Sequence, residues 1–440
     1  MPGPDRRSFL TQMLGGTAAT LTLPELLLAA PGPSRPGQGP EEPPRFLPRS
    51  GPRGPAADDE AYWNRVREQF PLAQGLILMN AANLCPSPYA VQESVFRYTR
   101  EVDADASFQN RSRFGPLKEE ARRALAGYVG ADPGEIAITR NTSEGNNSVV
   151  NGLDLGPGDE VVIWDQNHPT NNVAWDVRAQ RWGYTVKRVS TPSGAEATAE
   201  TLMAPFLDAF GPNTRVLAFS HVSNVSGTAL PARGLCAAAR ERGILTLVDG
   251  AQTFGALQLD LHDLGCDFFT ASSHKWFVGP KEAGLMYVRE ESQDRLWPSD
   301  VGVGWEGAVD RGAEKFENMG QRDDAAVVTM AVAAAFHESI GPGAVESRVR
   351  ALAGAVREAL LERIPEIVFF TPEEEESRSG VVVFAVPGRD HDAIFEAVYR
   401  THRLGCAAMH GLFNGLRLSP HVYNTLEQVQ TAVEAVAAHV

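Results

Sequence analysis

The sequence contains little cysteine, and its cysteines are poorly placed for cross-linking or for binding a metal. Only four cysteines occur among the 440 residues, and no two of them form a CxxC or CxxH motif. Structural zinc sites and small disulfide scaffolds need closely spaced cysteines. The sequence therefore predicts neither of them and no metal site, and packing in the core is the simpler use of Cys85, Cys236, Cys266 and Cys406.

An excess of positive charge is also missing. The chain has 40 Lys and Arg against 55 Asp and Glu, which gives a formal net charge of -15. Nucleic acids bind to basic stripes or patches, and none occurs here, so a nucleic-acid partner is not expected. Hydrophobic residues make up 43% and charged residues 22%, which is typical of folded globular proteins. The length is sufficient for roughly two or three domains.

Beyond the N-terminus, the sequence lacks the apolar run of about 18 residues that a membrane-spanning helix needs. The first thirty residues have the layout of an export signal, because Arg6 and Arg7 precede an apolar stretch of small residues. Paired arginines are typical of the twin-arginine route. Residues 31–58 are rich in proline and glycine, which predicts a linker. We therefore expect export to the periplasm or the medium through the twin-arginine machinery, with the body either released or tethered by its N-terminus. An ordinary amphipathic helix is the alternative.

The body alternates strand-like apolar runs with helical stretches. This alternation predicts crossover units and a mostly parallel sheet, which presents ligands at the carboxyl ends of its strands. The runs span residues 135–139, 160–164, 184–189, 215–220, 244–248, 266–271 and 284–288.

After residue 323 the pattern changes to long Ala-rich helices with two further strand candidates, at residues 380–386 and 416–419. The sequence therefore predicts an N-terminal segment and large domain over residues 59–322 and a smaller C-terminal α+β domain over residues 323–440. No repeat of 20 to 50 residues occurs, which excludes solenoids. No G-x-G-x-x-G opens a helix after a first strand, which argues against a nucleotide-binding Rossmann enzyme.

Two residues at predicted strand ends suggest a particular chemistry. Asp249 ends one apolar run, and Lys275 follows another, 26 residues later. An aldehyde cofactor such as pyridoxal phosphate needs an amine for a Schiff base and a carboxylate that keeps its pyridine nitrogen protonated. Lys275 and Asp249 match these two roles, although a lone lysine at a strand end is more often a solvated surface residue.

The segments DGAQ at residues 249–252 and SSHKW at residues 272–276 resemble those of class V aminotransferase-fold enzymes. This group of fold type I includes isopenicillin N epimerase, cysteine desulfurases and selenocysteine lyases. The resemblance extends from about residue 80 to the C-terminus. It implies a large domain with a mostly parallel seven-stranded sheet, pyridoxal 5'-phosphate as cofactor, a homodimer, and an amino acid or small amine as substrate.

The resemblance also implies roles for individual residues. Lys275, Asp249 and His168 would be catalytic, with the His168 ring against the face of the cofactor. Arg417 and Asn83 would bind the substrate, and Arg417 would clamp its carboxylate. The residues implied to bind the cofactor are Thr142, Ser143, His168, Asn224, Asp249, Gln252, Ser272, His274 and Lys275. Simpler alternatives are a helix N-cap by Asn141 or Thr142, a solvated His168, polar loop residues at 224 and 252, and a buried ion pair at Arg417.

Two positions depart from the family pattern. Many relatives carry a threonine that reaches the partner subunit's phosphate, where this chain has Gln321, so a dimer contact there is less secure. Desulfurases need a reactive thiolate before the substrate arginine, and Cys406 is the one candidate, in an apolar setting that favours an inert thiol. The sequence thus favours an epimerase- or aminotransferase-like enzyme over a desulfurase or selenocysteine lyase, and over a catalytically silent protein of the same fold. Epimerisation, transamination and β-elimination are not separated by the sequence.

Overall fold

A seven-stranded sheet forms the centre of the computed structural model, which describes residues 54–440. The strand order is β2-β8-β7-β6-β5-β3-β4, and β8 is antiparallel to both of its neighbours while the other pairs are parallel. The mostly parallel sheet is therefore confirmed. Its strands are β2 (Ile136–Thr139), β3 (Glu160–Trp164), β4 (Thr185–Val189), β5 (Thr214–Ser220), β6 (Leu245–Asp249), β7 (Phe268–Ser272) and β8 (Gly284–Val288).

Helices connect these strands and cover both faces of the sheet. Successive residues of one strand enter opposite cores: in β3, Val162 and Trp164 pack on one face and Val161 and Ile163 on the other. This is the pattern of strands buried on both sides. The helices up to residue 308 are α1 (Glu60–Arg67), α2 (Tyr89–Ala104), α3 (Phe108–Arg111), α4 (Phe114–Val129), α5 (Thr142–Gly152), α6 (Pro169–Trp182), α7 (Ala199–Ala209), α8 (Ala232–Arg240), α9 (Leu261–Leu264) and α10 (Trp305–Ala308).

A second, antiparallel sheet has the order β12-β13-β10-β9. A short parallel pair, β1 with β11, joins residues near the N-terminus of the described chain to this C-terminal part. The remaining elements are β1 (Ile77–Leu78), α11 (Asp324–Ile340), α12 (Pro342–Arg363), β9 (Val368–Phe369), β10 (Val382–Ala385), α13 (His391–His402), β11 (Leu404–Gly405), β12 (Ala407–Met409), β13 (Gly415–Leu418) and α14 (Leu426–Ala437).

Helix α11 begins just after the predicted domain boundary at residue 323. It packs against α2 and α4, and its Val327 and Met330 share a core with the seven-stranded sheet. Helix α12 instead contributes Leu352 and Val356 to the core of the second sheet. The division at residue 323 stays a prediction. The predicted export signal and residues 31–53 of the predicted linker lie outside the described residues.

Among residues 54–440, no single helix is long and apolar enough to cross a bilayer. Helices α11 and α12 reach the required length and hydropathy only as a pair, across a bend of 74°. All four cysteines are free and buried.

Candidate active site

The carboxyl ends of β6 and β7 lie side by side and carry the two residues singled out in the sequence. Asp249 is the last residue of β6 and pairs with Thr270. The strand therefore extends one residue beyond the predicted run, which ended at residue 248. Lys275 follows β7 in a tight turn, in which the Val278 N–H donates to the Lys275 carbonyl at 3.0 Å. Val278 has φ of +48°, which is strained for a β-branched residue. Its complete burial holds this turn in place.

One cavity of about 330 Å³ collects the predicted site residues. All eleven of them line it, although they come from opposite ends of the sequence. They are Asn83, Thr142, Ser143, His168, Asn224, Asp249, Gln252, Ser272, His274, Lys275 and Arg417. The structure thus brings these residues together, and their chemical roles stay predictions.

Asp249 is held as a buried hydrogen-bond acceptor. Its side chain is in a residue only 3% exposed and accepts from Asn146 Nδ2 at 2.9 Å and from the Ala251 N–H at 3.0 Å. Asn146 Oδ1 in turn accepts from Thr270 Oγ1 at 2.5 Å, which fixes the orientation of the amide. The carboxylate therefore keeps one geometry before any ligand arrives.

Burial lowers the pKa of Lys275 to about 8, and the negative charge of Asp249 opposes this shift only in part. A buried ammonium loses hydration, so the neutral amine is favoured. Lys275 Nζ has no hydrogen-bond partner among residues 54–440. Roughly a tenth of the amine is therefore neutral at pH 7 and about half at pH 8, and this fraction is free to act as a nucleophile or base.

The N-terminus of α5 forms the opposite end of the cavity. Asn141 caps the helix, because its Oδ1 accepts from the Glu144 N–H at 3.0 Å. The Thr142 N–H donates to Ser272 Oγ at 2.8 Å, and the Ser143 N–H has no partner in the described chain. Gly145 lets the helix approach β7, since a Cβ there would lie 2.8 Å from Thr270 Cγ2. An exposed N–H and two hydroxyls at a helix N-terminus suit a phosphate.

Two histidines border the cavity as neutral rings. Burial lowers the pKa of His274 to about 4, and its buried Nδ1 has no hydrogen-bond partner among the described residues. Burial, followed by the charge of Lys275, also lowers the pKa of His168. His168 Nδ1 accepts from the Thr170 N–H at 3.2 Å, so the neutral ring carries its proton on Nε2.

Gln252 and Asn224 form hydrogen bonds with residues around the cavity. Gln252 Oε1 accepts from Trp276 Nε1 at 2.8 Å and its Nε2 donates to the Ala82 carbonyl at 3.0 Å. One N–H of the amide is left for a ligand. The Asn224 carbonyl accepts from Arg417 Nη1 at 2.9 Å, so Asn224 also positions the arginine.

Arg417 is a buried cation without an anionic partner among residues 54–440. It is 6% exposed, its Nη2 donates to Asn80 Oδ1 at 3.0 Å, and its buried Nε has no partner in the described chain. Burial lowers the pKa of Arg417 to about 10. The ion pair considered as the simpler alternative is not formed. An uncompensated buried guanidinium is costly, and it is well suited to receive a carboxylate.

The chain belongs to the class V aminotransferase family, whose model matches residues 86–431. Isopenicillin N epimerase from Amycolatopsis lactamdurans is 31% identical over 395 residues, which cover 85% of this chain and 97% of the relative. The similarity thus extends over most of this chain and nearly all of the relative.

Solved structures agree with this assignment. A cysteine desulfurase from Escherichia coli, in its S-sulfonic acid form, aligns with a TM-score of 0.76 at 25% identity and covers 86% of this chain and 98% of its own. A variant of a cystine C–S lyase, solved with glycine linked to its pyridoxal-phosphate cofactor, aligns with a TM-score of 0.76 at 23% identity, over 85% and 99% of the two chains. The latter supports the fold alone.

The cavity fits the cofactor of this family. Buried Asp249 can hold a protonated pyridine nitrogen, Lys275 offers the amine, and the α5 N-terminus offers donors to the phosphate. The unpartnered Nδ1 of His274 and the free N–H of Gln252 leave further polar contacts available. The protein is therefore a pyridoxal-phosphate-dependent enzyme of the class V family.

The sequence alone missed the residues that support this site. Asn146 was not predicted, although it lies four positions after Thr142 and therefore on the same face of α5. Trp276 was noted only as part of a motif, and its hydrogen bond to Gln252 needed the folded chain. Asn80 lies three positions before the predicted Asn83, and its contact with Arg417 joins residues 337 positions apart, which no local signal could reveal.

The two departures from the family pattern lie in different surroundings. Gln321 is exposed and accepts from Arg111, and its amide donates to the Arg322 carbonyl at 2.7 Å. Cys406 is 5% exposed, and burial raises the pKa of its thiol to about 12. The predicted inert setting of Cys406 is therefore confirmed.

Proposed function

We propose that this enzyme removes the α-proton of an amino acid, in the manner of the epimerase-like branch of its family. Isopenicillin N epimerase is a relative with 31% identity, and the overlap covers nearly all of that protein. The proposal concerns the reaction on the α-carbon and does not extend to isopenicillin N as the substrate.

Arg417 is the observation that carries the proposal. It lines the same cavity as Lys275, and its contacts with Asn224 and Asn80 are both with neutral oxygens. A carboxylate bound there would supply the missing negative charge through paired hydrogen bonds. An α-amino acid held in this way presents its amine and its α-carbon toward Lys275.

The remaining residues have complementary tasks. When bound, pyridoxal phosphate supplies an aldehyde that joins the substrate nitrogen and a ring that disperses the charge left on the α-carbon. Asp249 would hold the ring nitrogen in its protonated form. The neutral form of Lys275, which its lowered pKa of about 8 makes more abundant than for an ordinary lysine, would accept the α-proton. His168 Nε2 would offer an N–H to a ligand in the same cavity.

The desulfurase alternative is less well supported. A desulfurase needs a thiolate that attacks the sulfur of its substrate. Cys406 lines a cavity beside Arg417, but its thiol is buried and burial raises its pKa to about 12. The sulfur acceptor is thus protonated and shielded at neutral pH.

Exchange of the α-proton with solvent deuterium tests the proposal. The holoenzyme is incubated with single L-amino acids in D₂O, and the loss of the α-proton signal is followed by NMR. We expect exchange in the native protein and none in Lys275→Ala, while Lys281→Ala serves as the matched control and retains exchange. Chiral chromatography, 2-oxo acid assay and sulfide assay of the same samples separate epimerisation, transamination and elimination. No exchange with any amino acid would refute the proposal.

We also propose that the enzyme is exported by the twin-arginine route and acts as a homodimer. Arg6 and Arg7 support the first proposal, and family resemblance supports the second. Replacing both arginines with lysine preserves charge and should retain the protein in the cytoplasm. Unchanged export of that variant, measured by cell fractionation, would contradict the route. Light scattering of the purified protein tests the dimer.

A further inference from the structure

A second cavity adjoins the one that contains Lys275. Its volume is about 530 Å³, and Asn83 and Arg417 line both cavities. The first cavity has to accommodate the cofactor as well as the reacting part of the substrate. A substrate side chain that extends past Arg417 therefore enters the second cavity.

The charged residues around the second cavity, apart from the shared arginine, are mainly acidic. Asp392 and Glu396 stand four residues apart on α13 and therefore on the same face of that helix. Both are exposed, and His410 Nε2 lies 3.3 Å from Asp392 Oδ1. The half-buried Phe395 lies between them in sequence and also lines the cavity, which gives the space an apolar wall and an acidic rim.

The fold places this rim and Arg417 around one cavity. Helix α13 packs against β11, β12 and β13, and Ala407 of β12 pairs directly with Arg417 of β13. Arg417 is more than nine-tenths buried, and its unpartnered Nε belongs to a side chain that lines this cavity. The cavity thus has a cationic end for one carboxylate and an acidic end at the opening.

We propose that the second cavity is a side-chain subsite that selects amino acids whose side chain is aliphatic and ends in a cationic nitrogen. The inference rests on the proposed function, since it takes Arg417 as the carboxylate clamp. The aliphatic part would pack on Phe395, and the terminal ammonium would lie beside Asp392 and Glu396. A side chain that ends in a carboxylate would be repelled by the same two groups.

Three amino acids with six carbon atoms isolate the terminal group: L-lysine, L-norleucine and L-2-aminoadipate. The holoenzyme is titrated with each of them, and the change in the visible absorbance of the cofactor gives an apparent dissociation constant. We expect lysine to bind about tenfold more tightly than norleucine, as two partly exposed charge contacts allow. We expect 2-aminoadipate to bind most weakly.

Two double variants attribute this preference to the rim. Asp392→Asn with Glu396→Gln should bring lysine to within about twofold of norleucine and leave norleucine binding unchanged. Glu358→Gln with Glu362→Gln is the matched control, because these exposed acidic residues are also four positions apart, on α12. The control should keep the native preference.

Equal binding of lysine and norleucine to the native enzyme, or a preference that survives in the rim variant, would overturn the subsite. If the preference fails but norleucine still changes the spectrum, the proposed function stands without the subsite. If none of the three amino acids changes the spectrum, the proposed function and the subsite both fail.

Discussion

The two ends of the active site are built in opposite ways. At the cofactor end, Asp249 and Thr142 are hydrogen-bonded to side chains of neighbouring elements, namely Asn146 and Ser272. At the substrate end, Arg417 is held only by neutral oxygens from Asn80 and Asn224 and keeps an unpartnered Nε. At the cofactor end the carboxylate is already hydrogen-bonded before a ligand arrives, whereas the substrate end lacks the negative charge that a ligand would bring.

This difference shows which end fixes chemistry and which end selects substrates. The ends of β6 and β7 belong to one continuous sheet, so Asp249 and the residues around Lys275 are positioned by backbone pairing. Arg417 lies on β13 of the second sheet and lines the cavity from that strand. We therefore expect changes at the cofactor end to affect kcat and changes at the substrate end to affect KM.

After the loss of Lys275, the largest effect should come from Asp249→Asn. The amide has nearly the same size but cannot hold the ring proton through a charge-assisted hydrogen bond. We expect kcat to fall by about 100- to 1,000-fold, while the variant still binds the cofactor, as its absorbance spectrum will show. Near-normal kcat in this variant would show that Asp249 has no role in the mechanism. It would also contradict the proposed difference between the two ends.

Arg417→Lys should affect KM instead. Lysine keeps the charge but loses the paired N–H groups that bind a carboxylate, and its contact with Asn224 or Asn80 would be lost. We expect KM to rise about tenfold or more, because one charge-assisted hydrogen bond to the substrate is lost. The change in kcat should be much smaller. Steady-state kinetics measures both parameters. A fall in kcat/KM that comes mostly from a lower kcat would contradict this account.

The pH dependence of cofactor attachment should reflect the lowered pKa of Lys275. The neutral amine is the nucleophile, so attachment to the apoenzyme should accelerate as pH rises through about 8 and level off above it. Between pH 7 and the plateau the rate should increase about tenfold. Stopped-flow absorbance measures it, and a rise centred near the ordinary lysine pKa would contradict the lowered value.

The smallest effect on activity should come from Cys406→Ala. The thiol is buried and its pKa is raised to about 12, so α-proton exchange should be unchanged within about twofold, and the native thiol should react slowly with alkylating reagents. Loss of its sulfur contacts should lower the free energy of unfolding by about 1 kcal/mol. Sulfide release from cysteine that disappears in this variant would instead favour the desulfurase alternative.

The sequence predicted the strands of the large sheet more completely than those of the smaller sheets. The seven strands of the large sheet match seven apolar runs, because all of them except the edge strand β4 are largely buried on both faces and stand out from their surroundings. Short strands such as β1, β9 and β11, with two residues each, carry no such signal. The acidic rim at Asp392 and Glu396 was also missed, since exposed carboxylates on a helix are common and only the packing of α13 places them beside Arg417.

Covalent fixation of the cofactor tests the central claim most directly. The holoenzyme is reduced with borohydride and digested, and the modified peptide is identified by mass spectrometry. We predict the adduct on Lys275, whose amine has no partner among the described residues. Lys281 is the internal control, because its Nζ donates to the Cys85 carbonyl at 2.8 Å and to Ser87 Oγ at 3.0 Å. An adduct on Lys281, or on any lysine other than Lys275, would contradict the account.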